Sequence, residues 1–361
     1  MRIQYDSDPT RPVEERPKAS VARFDETIPA TRHRSDVGCN FDHLVWRYEF
    51  PASRWFDGLE LFRLDPGAYT DFHTHRADAD VPLEQVLRVF SGRGVLRTER
   101  RDEPLGRFDH VAVPAGAVYQ LGNTGTEPLW IGTWYSTGDN EASAESTLES
   151  GSETRGRAEY EQIMATRAER GLSTAPGDDG DDGNHVGSPN ADRPEPAVEA
   201  FTDLQPKTRY EAPAVGCNAD WLAWMSNFDE LDRISDSSVM KLEPGEYTSL
   251  HTHFDNEGPH EEIYWVMEGE ARLVTEYRDE RMSRFDCAFF PTGNSHAIGN
   301  VGLDTLWVGA WGARGGVKGE FDLSDLEISE RPGQTEEYER VMAARKKRGL
   351  PLPPNVEVDD R

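Results

Sequence analysis

Apolar and polar residues follow one another along this chain in short runs punctuated by Gly, Pro and Asp. LELFRL (59–64), QVLRVF (85–90), GVLRTE (94–99), HVAVP (110–114) and LWIGTWY (129–135) occupy the first half. SVMKL (238–242), EIYWVME (262–268), ARLVTEY (271–277), CAFFP (287–291) and LWVGAW (306–311) fill matching slots in the second. Runs of this length, rich in β-branched and aromatic side chains and bounded by turn residues, predict strands. Many short strands at regular spacing predict a closed barrel or jelly roll. Each half then changes period. The segments 157–170 and 336–348 carry Tyr160, Ile163, Met164 and Tyr338, Val341, Met342 at i, i+3, i+4. These predict charged helices closed by Gly171 and Gly349 at C′, each with one docking stripe for its barrel or a neighbouring subunit.

The matching slots reflect an internal duplication. GCN at 38–40 recurs at 216–218, PGxYT at 66–70 recurs at 244–248, and HTH at 73–75 recurs at 251–253, all at an offset of 178 (216 − 38). Pro114, Gly116, Asn123, Trp130 and Trp134 recur at Pro291, Gly293, Asn300, Trp307 and Trp311, at 177 (291 − 114). Self-similarity at a fixed period identifies a tandem repeat. Residues 20–172 form one expected domain and 198–353 the other. Between them, 173–197 is rich in Gly, Pro and Asp and reads as a solvated linker.

Composition narrows the classes. With 67 acidic against 39 basic residues the formal net charge is −28, which disfavours nucleic acid and acidic membrane surfaces as partners. Lys is confined to positions 18, 207, 241, 318, 346 and 347. Such an acidic, Lys-poor surface suits concentrated salt and suggests a halophilic source. The 9 Trp, 11 Tyr and 15 Phe argue for packed cores rather than acidic disorder. Cys39, Cys217 and Cys287 have no CxxC spacing and suit a reducing compartment. The N-terminal residues lack an apolar stretch of signal-peptide type, and no run reaches membrane-spanning length, so a cytoplasmic location is expected.

The chemistry concentrates in the second repeat. His251 and His253 stand at i and i+2, which on a strand point to one face. Glu262 opens the next strand six residues before Gly269, and His296 follows the turn Pro291-x-Gly293. Three imidazoles and one carboxylate leave open positions on a divalent ion, as a catalytic metal needs. This order resembles the cupin superfamily, whose motifs are G-x5-H-x-H-x3–4-E-x6-G and G-x5-P-x-G-x2-H-x3-N. The resemblance implies an all-β chain of two tandem cupin barrels (jelly rolls, or double-stranded β-helices), each followed by a short helix. It also implies a single metal held by His251, His253, Glu262 and His296. Two departures stand out. Eight residues separate His253 from Glu262, leaving Glu261 and His260 as alternative donors. Phe285 replaces the first Gly of the second motif, with Asp286 retained.

In the first repeat, the positions equivalent to those ligands are His73, His75, Gln85 and Tyr119. That set has lost an imidazole and a carboxylate, so a degenerate site is expected. Glu84 is adjacent, but alternation turns it to the opposite face. Tyr264, two residues from Glu262, is the expected substrate contact. Trp265, Trp307 and Trp311 read as packing residues, and Arg272, Arg281 and Arg284 as solvated cations. One divalent ion per chain is expected, Fe(II) before Mn(II), Ni(II) or Zn(II). The leading reading is an Fe(II) dioxygenase acting on a small chelating substrate, by analogy with ring-cleaving two-barrel cupins. A redox-neutral isomerase, lyase or decarboxylase is the second reading, and a non-enzymatic binding module the third. The helix stripes leave room for a homodimer.

Overall fold

The computed structural model describes residues 18–32, 43–53, 56, 58–70, 72–73, 83–136, 157–174, 193–209, 221–232, 234, 236–251, 254–255, 258–314 and 334–351. The first repeat lays down β1 (Ser20–Ala22), β2 (Ala30–Arg32), β3 (His43–Tyr48), β4 (Gly58–Leu64), β5 (Glu84–Ser91), β6 (Gly94–Arg97), β7 (Asp102–Leu105), β8 (His110–Val113), β9 (Gln120–Asn123), β10 (Leu129–Ser136) and helix α1 (Arg157–Glu169). The second lays down β11 (Ala197–Glu199), β12 (Pro206–Arg209), β13 (Trp221–Asn227), β14 (Asp236–Leu242), β15 (Phe254–Asp255), β16 (Gly258–Glu268), β17 (Ala271–Thr275), β18 (Asp279–Met282), β19 (Cys287–Phe290), β20 (His296–Asn300), β21 (Leu306–Arg314) and α2 (Gln334–Lys347).

Each barrel pairs a large sheet with a three-stranded one, β7-β6-β9 in the first and β18-β17-β20 in the second. The large sheets run β11-β8-β5-β10-β4-β3-β2 and β1-β19-β16-β21-β14-β13-β12. All pairing is antiparallel.

Sheet membership departs from chain order at one point that the sequence does not reveal. β1 of the first repeat pairs with β19 of the second, while β11 of the second pairs with β8 of the first. The repeats thus exchange their leading strands and cover one another's exposed sheet edges. Equivalent aspartates fasten each arm. Asp286 Oδ1 accepts from the Phe24 amide at 2.9 Å, and Asp109 Oδ1 accepts from the Phe201 amide at 2.8 Å. The end of the 173–197 segment is likewise tied to the first barrel, with Thr98 donating to Glu195 at 2.7 Å and Arg101 to the Pro196 carbonyl at 2.6 Å.

The packing of the two barrels on one another explains why strands such as β5 read as continuous apolar runs rather than clean alternations. Leu87 and Val89 face the first lumen, whereas Val86 and Phe90 face an aromatic core between the barrels. Trp265 and Trp311 lie in that shared core and are packing residues. The helix stripes are used within the chain. Ile163 and Met164 pack on Phe72 and Val118, while Tyr338, Val341 and Met342 join the second lumen's core beside Leu250. Gly171 and Gly349 adopt φ of +70° and +68°, the left-handed C′ geometry.

Candidate metal centre

In the second barrel, backbone pairing brings the donors together. His251 and His296 form a two-way bridge, with N···O distances of 3.0 and 2.9 Å, which places their rings 4.5 Å apart. Glu262 reaches the same point from β16, its Oε2 lying 2.9 Å from His296 Nε2 and 4.0 Å from His251 Nε2. One donor atom from each residue falls within 4.8 Å of the others. Metal bonds of about 2.0–2.2 Å set neighbouring donors roughly 3 Å apart, so a small inward adjustment suffices for a divalent ion.

The chain also fixes which nitrogen faces inward. His251 Nδ1 lies 2.9 Å from the Ser249 carbonyl, and His296 Nδ1 lies 3.1 Å from the Asn294 carbonyl. A carbonyl only accepts, so each Nδ1–H donates outward and each Nε2 faces the centre, the outer hydrogen bond that metal-binding histidines use. At His296 a bound ion would replace the proton between Nε2 and the Glu262 carboxylate. The Phe290 ring stacks on His296 at 3.9 Å between centroids, limiting its rotation. His296 is fully buried, while the side chains of His251 and Glu262 remain slightly accessible. Two imidazoles and a carboxylate converging inside a barrel suit a divalent transition ion.

His253, expected as the fourth ligand, lies outside the described residues. Glu261 is turned to the other face of β16, where its Oε2 accepts from Ser53 Oγ of the first repeat at 3.1 Å. Tyr264 is buried beneath the cluster, its hydroxyl 3.4 Å from His251 Nε2. Asn300, the last motif residue, ends β20 and fastens the turn that follows. It donates to the carbonyls of Leu242 and Asp304, both at 2.9 Å.

The first barrel assembles the equivalent positions differently. His73 and Tyr119 form the matching bridge, their rings 4.4 Å apart. Here, however, the Tyr119 hydroxyl donates to Gln85 Oε1 at 2.5 Å, and Gln85 Nε2 donates to Thr133 Oγ1 at 2.7 Å. Glu60, also fully buried, accepts from Tyr135 at 3.0 Å and from Arg47 at 3.1 Å. Thr133 and Glu60 escape a motif-based reading, because their position becomes meaningful only through cross-strand register. His75 lies outside the described residues. Glu84 faces the second repeat, accepting from the Asp232 amide at 2.7 Å, as its alternation requires.

Of the remaining candidates, Arg272 and Arg284 have structural partners for their guanidinium groups. Arg272 pairs with Asp279 at 2.5 Å. Arg284 donates to Ser91 at 2.9 Å and lies over the Phe285 ring. The Arg281 carbonyl accepts from Arg23. Cys287 is buried, and burial pushes its thiol well above the ordinary range. No described helix is long and apolar enough to cross a membrane.

Residues 238–309 match the family model described as the cupin domain, spanning Glu262 and His296. The chain has the tandem-cupin fold. Among solved structures it is similar to oxalate decarboxylase from Bacillus subtilis at pH 4.6, at 17% identity and a TM-score of 0.53 over 81% of this chain and 75% of the other. A single-residue variant of that enzyme aligns at 18% identity and a TM-score of 0.54, covering 81% of this chain and 76% of the other. The E. coli protein Ylba covers 93% of its own length at 10% identity, with 84% of this chain aligned and a TM-score of 0.49. No curated protein matches this tandem cupin in sequence.

Proposed function

We propose that this tandem cupin is a metal-dependent enzyme whose second barrel holds one divalent ion through His251, Glu262 and His296, with His253 as fourth ligand. The observation that carries this reading is the convergence on one carboxylate of two Nε2 atoms, each aimed inward by a backbone carbonyl at its ring's Nδ1. A bound ion would supply a Lewis acid with open positions for a chelating substrate. The protein's part is to aim the imidazoles, to set Glu262 opposite them, and to offer the Tyr264 hydroxyl to whatever binds beside His251. Among the described residues the first barrel brings together no such donor set, and it serves as the supporting half.

Within this class, oxygen-dependent cleavage with Fe(II) is the leading reaction. The fold shared with oxalate decarboxylase favours a redox-neutral alternative such as decarboxylation, with Mn(II) among the ions to test. Metal content of protein purified without nickel resin, beside His251→Ala, tests the site. About one ion per chain, lost in the variant, is expected, and no uptake of Fe(II), Mn(II) or Zn(II) would refute it. Turnover under argon then separates the two chemistries, since only the redox-neutral one persists.

A further inference from the structure

We infer that the first repeat positions the ligand carboxylate of the second, through a buried clamp between Ser53 and Glu261. This inference rests on the metal reading above. On the β19 side of β16 the ladder ends at the pair Glu262↔Phe290, and pairing with β15 resumes only at Pro259. Glu261 falls in the gap, tied by backbone pairing only on the β21 side, where it meets Ala313. A strand tied along one edge twists more readily there. Glu261 is fully buried and lies on the face of β16 that Ile263 presents to the core between the barrels, opposite to Glu262. Its Oε2 accepts from Ser53 Oγ at 3.1 Å, and Ser53 Oγ in turn accepts from the Phe56 amide at 3.1 Å. The same stretch of the first repeat braces β19. Phe50 stacks on Phe289 with ring centroids 5.4 Å apart, and the Tyr48 hydroxyl donates to the Phe285 carbonyl at 2.8 Å. Phe289 pairs with Ile263 and precedes Phe290, whose ring stacks on His296. Tyr48, Phe50 and Ser53 thus hold both strands that stand behind the centre.

The clamp has a counterpart. Glu84 stands one residue before Gln85, where the β5–β8 ladder ends at Val113. It too is buried, and it accepts from the Asp232 and Ile234 amides of the second repeat at 2.7 and 3.3 Å. Each repeat thus fixes, in the other barrel, the residue beside the motif position. The consequences differ. Gln85 is already held by Tyr119 and Thr133, so its neighbour's clamp serves stability. The other clamp sets Glu262, whose Oε2 has to keep its place 2.9 Å from His296 Nε2 and 4.0 Å from His251 Nε2. Metal–ligand distances tolerate only about 0.2 Å, so a slight twist of β16 is felt in affinity. Groups that orient a ligand from outside the coordination shell are typically worth about 10–100-fold in metal binding. The first barrel is in this sense part of the metal centre without holding the ion, and Ser53 and Glu261 are its positioning residues.

Calorimetric titration of the metal-stripped full-length protein with Mn(II) and Zn(II), read beside urea unfolding, tests the coupling. Glu261→Met keeps the buried volume, removes the acceptor and should weaken metal binding by about tenfold or more. Ser53→Ala, the milder change and the one to rely on if the methionine variant does not fold, should weaken it by a few-fold. Ser53→Thr retains the hydroxyl and should restore the original affinity. Glu84→Met cuts the counterpart clamp, so it should lower the urea midpoint while metal affinity stays within about twofold. Affinity unaltered in both Ser53→Ala and Glu261→Met, or weakened equally by Glu84→Met, would overturn the coupling while leaving the metal centre standing. An unsubstituted protein that takes up neither ion would refute the metal reading and the coupling with it.

Discussion

The two barrels share a backbone, a strand register and a bridge at the same place, yet they spend the same lumen positions in opposite ways. At His73–Tyr119 the cross-barrel partners are a phenol and an amide that satisfy one another, Tyr119 to Gln85 to Thr133. At His251–His296 they are two imidazoles and a carboxylate whose best partner is a cation. A satisfied neutral network rigidifies a core, whereas two imidazoles meeting a carboxylate are the donor set a divalent ion would complete. The contact between the barrels repeats the contrast. One seam joins Arg88, His110, Ser226 and Glu199, and its counterpart holds Trp265, Cys287, Tyr48 and Ala22. Duplication therefore preserved the scaffold while the chemistry of equivalent positions diverged.

The largest expected effect comes from trading site residues between barrels. Glu262→Gln with His296→Tyr should weaken divalent-metal binding by more than the 10–100-fold typical of losing an outer-shell partner. The reverse exchange, Gln85→Glu with Tyr119→His, should raise metal content toward two ions per chain. Elemental analysis and calorimetric titration read both. An unchanged stoichiometry in the first double variant would erase the proposed difference between the barrels.

Next in size is the polar seam. Arg88 is fully buried and donates to the Ser238 carbonyl at 2.5 Å and to Ser237, while desolvation lowers its pKa well below the usual value. Arg88→Ala leaves a cavity and unpaired acceptors, at a cost of about 2–5 kcal/mol in urea unfolding. Arg88→Met preserves volume and removes a buried charge, and should cost less than about 1.5 kcal/mol. Equal losses in the two variants would mean that the charge itself carries the contact.

Phe285 and Phe108 give a smaller effect that both barrels should share. They hold φ of +74° and +69°, a conformation that costs a non-glycine residue about 1–2 kcal/mol. Their rings pack against Phe24 and Trp130 or against Phe201 and Trp307, and burial of this kind is worth about 3–5 kcal/mol. Glycine at either position should therefore destabilise by about 2 kcal/mol despite relieving the strain. A stabilised glycine variant would show the aromatic clasp to be unimportant.

The smallest effect is a pH dependence confined to one seam. His110 is buried against Ser226, and desolvation with Arg88 nearby holds its pKa well below 6.5. The unfolded chain then binds the extra proton first, so this residue's contribution is full above about pH 6.5 and lost as the pH falls. His110→Gln should flatten the melting temperature between pH 7 and 5. The other seam has Cys287 at the equivalent position, whose raised pKa leaves it silent there. An unchanged acid slope in the variant would place the titrating groups elsewhere.

Much of this was legible beforehand, because strand patterning, turn glycines and a constant offset are local properties of the chain. Short runs between turn residues marked the strands. Gly171 and Gly349 marked the helix ends, and the order His-x-His, Glu, His marked a candidate centre, of which the fold brings His251, Glu262 and His296 together. The preference for Glu262 over Glu261 was legible in its six-residue spacing to Gly269, and the fold turns Glu261 toward Ser53 instead. The exchanged arms were not legible, because β1 and β19 lie far apart in sequence and nothing local in Ser20–Ala22 names its partner. The carbonyls of Ser249 and Asn294 that orient the imidazoles were equally hidden, since every residue owns a carbonyl and only the folded path aims it. The sequence by itself determined the repeat, the barrel pattern and the residue types of the candidate centre. Only tertiary structure decided which side chains share a row of the lumen, because register across strands depends on how distant segments pair.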